Sequence, residues 1–105
     1  MTKLHKLTQD GKVAVLYSPG FGAGWYTWNG NYPQLMFDPA IVKYVEDESW
    51  SDLEVYMELK YPRVHLGGLR DLKVQWIKEG TEFKIVEYDG AESIEYKNSD
   101  QWTIA

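Results

Sequence analysis

From Val13 to Phe37 the chain runs for 25 residues without one Asp, Glu, Lys, Arg or His. The stretch holds seven of the sixteen aromatic residues (Tyr17, Phe21, Trp25, Tyr26, Trp28, Tyr32 and Phe37) and four of the nine glycines. A segment of this kind serves as core or as the wall of a ligand site. Its first five residues, Val13 to Tyr17, form an apolar run between Gly11 and Ser18-Pro19-Gly20, which suits a buried strand. Residues 18–32 then read as a long loop, with turn signals at Pro19, Asn29-Gly30 and the glycines. Loops of that length in compact domains are usually functional or mobile.

A chain of 105 residues is expected to form one domain, residues 1–105. It is too short for a complete dinucleotide-binding fold. It has no cysteine, so a disulfide scaffold, a thiolate zinc site and a cysteine nucleophile are excluded. A net charge of -5 argues against a nucleic-acid polymer as partner, because phosphate neutralisation drives such binding. No apolar run approaches the roughly 20 residues of a membrane helix. Met1 to Lys6 lead into no apolar stretch, so a soluble, cytoplasmic protein is expected.

Asp38-Pro39 supplies a helix cap and a first-turn proline, and Ile41, Tyr44 and Val45 follow on one face. A second helix is predicted from Ser51 and Glu54 as a capping box, with Trp50 and Val55 as its staple. Leu53, Tyr56 and Met57 share its buried face, and Pro62 stops it near Lys60-Tyr61. After Gly67-Gly68 the period becomes two, through Leu72, Val74 and Trp76. Glu79-Gly80-Thr81 is a turn, Phe83 to Val86 a strand, Asp89-Gly90 a hairpin turn, Ser93 to Tyr96 a strand and Trp102 to Ile104 a last short one. The order predicts an α+β domain. It has a small antiparallel sheet, two helices packed on one face, and a long glycine and aromatic loop after the first strand.

The loop from Ser18 to Asn29 is the candidate ligand site. Gly20, Gly22 and Gly24 let the backbone approach a guest and offer it bare N–H groups. Trp25, Tyr26 and Trp28 are able to stack on a planar base. The competing reading tucks Phe21, Trp25 and Trp28 into the core. The spacing is neither the dinucleotide-binding fingerprint nor a P-loop. Residues 60–70 are the only basic segment beyond the N-terminus. Arg63, His65 and Arg70 there hold an anion if they face the loop. Otherwise they pair with the acidic run 46–58. The predicted ligand set is therefore Ser18, Gly20, Phe21, Gly22, Gly24, Trp25, Tyr26, Trp28, Asn29, Arg63, His65 and Arg70. No metal or cofactor is expected. Glu46, Asp47, Glu48 and Asp52 lack the spacing of a calcium loop and read as a solvated helix end. No catalytic set is legible. His5 and His65 are the only histidines, and Ser18 sits in no nucleophile elbow. Glu87, Glu92 and Glu95 lie on hairpin strands, where alternation sends many side chains to solvent.

Tyr17-Ser18-Pro19-Gly20-Phe21-Gly22-Ala23-Gly24-Trp25, Phe37-Asp38-Pro39, Lys60-Tyr61-Pro62, Gly67-Gly68 and Glu87-Tyr88-Asp89-Gly90 resemble a recurring set of short phage and bacterial proteins of unassigned function. Where those carry Tyr or Thr before the glycine pair, this chain has His65-Leu66. A small acidic chain of this composition also looks like the nucleotide sponges of phage counter-defence. That likeness implies a non-enzymatic binder that sequesters a cyclic nucleotide or ADP-ribose derivative in the host cytoplasm, with the pocket at a homo-oligomer interface. The alternatives are a protein-interaction module using an exposed aromatic patch and a small nucleotide hydrolase.

Overall fold

The computed structural model describes residues 6–20, 24–64, 66, 68–88, 90–96 and 103–104. They form an α+β fold. Strands β1 (Thr8–Gln9) and β2 (Lys12–Tyr17) make a hairpin, and β2 pairs antiparallel with β3 (Lys73–Lys78), from Lys12 opposite Lys78 to Tyr17 opposite Lys73. Asp10 and Gly11 carry φ of 53° and 76°, the left-handed pair that a two-residue hairpin of this twist requires.

The remaining strands are β4 (Glu82–Tyr88), β5 (Ala91–Tyr96) and β6 (Thr103–Ile104), in the order β5-β4-β6. The single expected sheet is therefore two, each of three strands. The turn closed by the Thr81 amide on the Lys78 carbonyl, at 3.1 Å, hands the chain from β3 in one sheet to β4 in the other.

The reason lies in β2. Ala14 and Leu16 pack with the helices, while Val13 and Val15 pack with Phe37, Ile77 and Phe83 on the opposite side. An unbroken apolar strand needs cover on both faces. Helices on one face supply half of it, and the second sheet supplies the rest.

Helix α1 (Pro39–Glu46) starts as predicted, with the Asp38 carboxylate accepting from the Ala40 and Ile41 amides at 2.9 and 3.4 Å. It packs on β2 and β3. Helix α2 (Trp50–Lys60) packs on α1 and starts earlier than expected. Its cap is Ser49, whose carbonyl accepts from the Leu53 amide at 3.0 Å and whose side chain makes no cap bond. Glu48, at φ 55°, reverses the chain so sharply that α2 is under way before Ser51. The Ser51–Glu54 capping box therefore does not form.

The far end of α2 is tied to the start of α1. The second oxygen of Asp38 accepts from Tyr56 Oη at 2.8 Å, Tyr61 Oη at 2.7 Å and Lys60 Nζ at 3.1 Å. Lys60 also lies over the Tyr56 and Tyr61 rings.

Candidate functional site

The long loop leaves β2 at Ser18, which is buried and locked on every side. Its amide donates to Glu92 Oε1 at 2.9 Å, its hydroxyl donates to the Gly68 carbonyl at 2.9 Å, and its carbonyl accepts from the Glu92 amide at 2.8 Å. The other Glu92 oxygen accepts from the Trp25 amide at 2.8 Å, the Thr27 amide at 2.8 Å and the Thr27 hydroxyl at 2.7 Å. Glu92 is 2% exposed. Three of the loop's backbone N–H groups therefore hold an anion already, and that anion belongs to the protein.

This geometry places several of the candidate ligand residues inside the protein. Ser18 and Gly24 are interior residues. Trp25 is wholly buried, with its indole N–H donating to the Leu35 carbonyl at 2.9 Å, so it has no open face on which to stack a ligand. Tyr26 is half-buried and packs against both core clusters. Asn29 is buried and donates from Nδ2 to the Trp25 carbonyl at 2.8 Å.

Trp28 is different. It is 45% exposed, and its indole N–H donates to Glu87 Oε2 at 2.6 Å. Glycine is needed nearby: a Cβ on Gly24 would collide with Thr27 Oγ1 and with the Trp28 ring.

Glu87 and Glu92 anchor the loop, although strand alternation sends many such side chains to solvent: Glu87 is exposed and Glu92 is buried. A signal for them existed. Tyr88 pairs with Ala91, so Glu87 stands opposite Glu92 and Ile85 opposite Ile94. Ile85 and Ile94 pack inward, and Glu87 and Glu92 share their face.

Two clefts flank the loop. The smaller, about 270 Å³, is lined by Trp28, Asn29, Gly30, Asn31, Tyr32 and Arg63. Its lining carries no carboxylate. Arg63 is exposed and makes no ion pair with any described residue. The larger, about 750 Å³, takes Pro19 and Gly20 from the loop and Trp50, Arg70, Asp71 and Lys73 from elsewhere. Arg70 pairs with Glu54 at 2.8 Å, so the structural reading of the basic segment holds for Arg70 and not for Arg63. The one predicted site is thus divided: Trp28 and Asn29 meet Arg63, and Gly20 meets Arg70. Phe21, Gly22 and His65 lie outside the described residues.

Among the described residues no cluster of His, Asp and Glu is placed to hold a metal ion, and no helix is long and apolar enough to cross a membrane. No protein-family model, curated protein or solved structure matches this chain.

Proposed function

We propose that this protein is a non-enzymatic binder of a small planar anion, held in the cleft between Trp28 and Arg63. The supporting observation is that a half-exposed indole and a guanidinium without an ion-pair partner among the described residues border the same carboxylate-free cleft. An indole stacks on any flat ring, and a guanidinium takes a phosphate or carboxylate through two parallel hydrogen bonds. Asn31 and the Tyr32 ring complete the wall. A nucleotide carries both chemistries, and the resemblance to sequestering proteins points the same way. The cleft lies just below the range of about 300–1,000 Å³ typical of drug-sized ligand sites, which suits one ring and one charged group per chain.

The geometry is less favourable to an interaction module that works through an aromatic patch. Trp25 is buried and Tyr26 half-buried, so two of the three rings that such a patch would use are withdrawn from the surface.

Calorimetric titration with AMP, ADP-ribose and a cyclic dinucleotide tests the proposal. Wild type binds at least one of them. Trp28→Ala and Arg63→Gln each weaken that binding tenfold or more, a loss of about 1.4 kcal/mol. The nucleotide is recovered intact after heat denaturation. No binding by a folded sample across the set, or binding by either variant as tight as by wild type, overturns the proposal, and a converted nucleotide overturns its non-enzymatic part.

A further inference from the structure

We propose that the larger cleft is a second, independent site, and that it takes a small zwitterion bearing an additional cationic group, such as a basic amino acid. Four elements converge there. The end of α1 brings Glu46 and, just beyond it, Glu48. The first residue of α2 is Trp50, and the first of β3 is Lys73. A single 3-10 turn, Leu69–Asp71, brings Arg70 and Asp71. Beneath them Val45 and Leu72 form a buried apolar floor.

The charges in this cleft are unequally committed. Arg70 is engaged with Glu54, and Glu46 accepts from the Trp76 indole at 3.3 Å. Lys73, Glu48 and Asp71 make no ion pair with any described residue. The cleft therefore offers one cation without an ion-pair partner among the described residues, Lys73, against three such carboxylates, Glu46, Glu48 and Asp71, beside the half-buried ring of Trp50.

A simple anion placed here meets Glu48 and Asp71. A simple cation leaves Lys73 unopposed. A molecule with one carboxylate and two cationic groups meets Lys73 and places two cations among the three carboxylates, and a guanidinium or ammonium is attracted to an indole face as well. Because these charged side chains are exposed, they gain partners at small desolvation cost, and weak, exchange-limited binding is the regime to expect.

The test follows the backbone amide and tryptophan indole resonances of isotopically labelled protein. Three probes are titrated at constant ionic strength: L-arginine, agmatine (which lacks the carboxylate) and L-glutamate. L-arginine shifts the Trp50 indole and the Asp71 and Lys73 amides to saturation. Agmatine binds about two- to fivefold more weakly, the worth of one exposed ion pair. L-glutamate gives no saturating shift. Lys73→Gln abolishes the preference for L-arginine over agmatine, because it removes the partner of the carboxylate and a repulsion of the dication together, whereas Glu48→Gln weakens both. Both residues are exposed, so the variants keep the fold. Trp28→Ala leaves these titrations as they were, so failure here is separable from failure at the smaller cleft. No saturation by L-arginine overturns the proposal. So does equal binding of agmatine, shifts centred elsewhere, or an unaltered Lys73→Gln variant.

Discussion

Glu87 and Glu92 face each other across the β4–β5 ladder, and both carboxylates are spent on one turn of the loop. Like charges directly opposite on a sheet face repel. Here Glu87 accepts from Trp28, and Glu92 accepts from Trp25 and Thr27 and from the Ser18 amide, so both carboxylates are hydrogen-bonded. The same bonds accompany the different placement of the two tryptophans. Glu92 draws in the backbone on either side of Tyr26, which carries Trp25 into the core. Glu87 catches the Trp28 indole at the rim.

Removing the inner carboxylate strands its donors. The amides of Ser18, Trp25 and Thr27 then lie at a buried position without acceptors, and each such group costs about 1–3 kcal/mol where water cannot reach it. Glu92→Ala should lower the unfolding free energy by about 3 kcal/mol or more. Glu92→Gln keeps the shape but turns an NH2 group toward N–H donors, and should lie between Glu92→Ala and wild type. Urea denaturation followed by tryptophan fluorescence measures both. A Glu92→Ala midpoint equal to wild type would show that the loop does not depend on this carboxylate.

Parts of this arrangement were legible in the sequence, and the reasons for the rest are physical. Local rules found α1, because Asp38-Pro39 acts on its own first turn. The β4–β5 hairpin, with Tyr88 opposite Ala91, agrees with the Asp89-Gly90 turn signal between them, although Asp89 itself lies outside the described residues. Asp10-Gly11 is the same dipeptide, yet it escaped notice because Thr8 and Gln9 carry no apolar alternation to mark β1. The run from Val13 to Tyr17 announced burial but not what covers each face, since cover comes from residues 20 to 70 positions away. The fates of Trp25 and Trp28 had no local signal at all. Both sit in an aperiodic loop, and what separates them is a pair of glutamates about sixty residues later.

The outer carboxylate should tune the proposed anion site without holding up the fold. Glu87 is exposed, so Glu87→Gln should change stability by less than about 0.5 kcal/mol. The variant removes a negative charge that is hydrogen-bonded to a ring bordering the small cleft. Affinity for AMP should rise about two- to fivefold, the scale of a single exposed charge interaction of about 0.4–1 kcal/mol. Calorimetry on the variant reads this directly, and weaker AMP binding would argue that Glu87 positions the indole more than it repels the ligand.

The Asp38 cluster predicts a stability profile with losses at both extremes of pH. Burial alone would raise the Asp38 carboxyl, but hydrogen bonds from Tyr61, Tyr56 and Lys60 outweigh it and hold the group below its ordinary 3.8. A depressed acid contributes stability above its unfolded value and loses it as pH falls through the folded one. The midpoint of urea unfolding should therefore drop below about pH 4, the ordinary aspartate range. Tyr61 is raised by burial, then by its bond to Asp38 and that residue's charge. Its contribution is complete below the ordinary 10.0 and declines as pH climbs above that value. Lys60 has the same sign, but its side chain is 54% exposed and solvent screens it. Asp38→Asn should remove the acid-side step, and an unchanged acid limb in that variant would assign it to other carboxylates.

Two glycines of the loop should respond in opposite ways to the same substitution. At Gly24 a Cβ has nowhere to go, since the Thr27 hydroxyl and the Trp28 ring already occupy the space. Gly24→Ala must push Thr27 away from Glu92 or Trp28 away from Glu87, and overpacking of this kind costs about 1–3 kcal/mol. At Gly30 a Cβ meets nothing within 4 Å, and the backbone is not in the left-handed region. Gly30→Ala should therefore be neutral or slightly stabilising, because it narrows the unfolded ensemble by about 0.4–1 kcal/mol. Thermal unfolding orders the three proteins as Gly30→Ala at or above wild type and Gly24→Ala well below it. The fluorescence of folded Gly24→Ala should also shift, since the Trp28 environment is what the new methyl group disturbs. Equal melting of both variants would mean that the turn is not packed as tightly around Gly24 as the Thr27 and Trp28 contacts require.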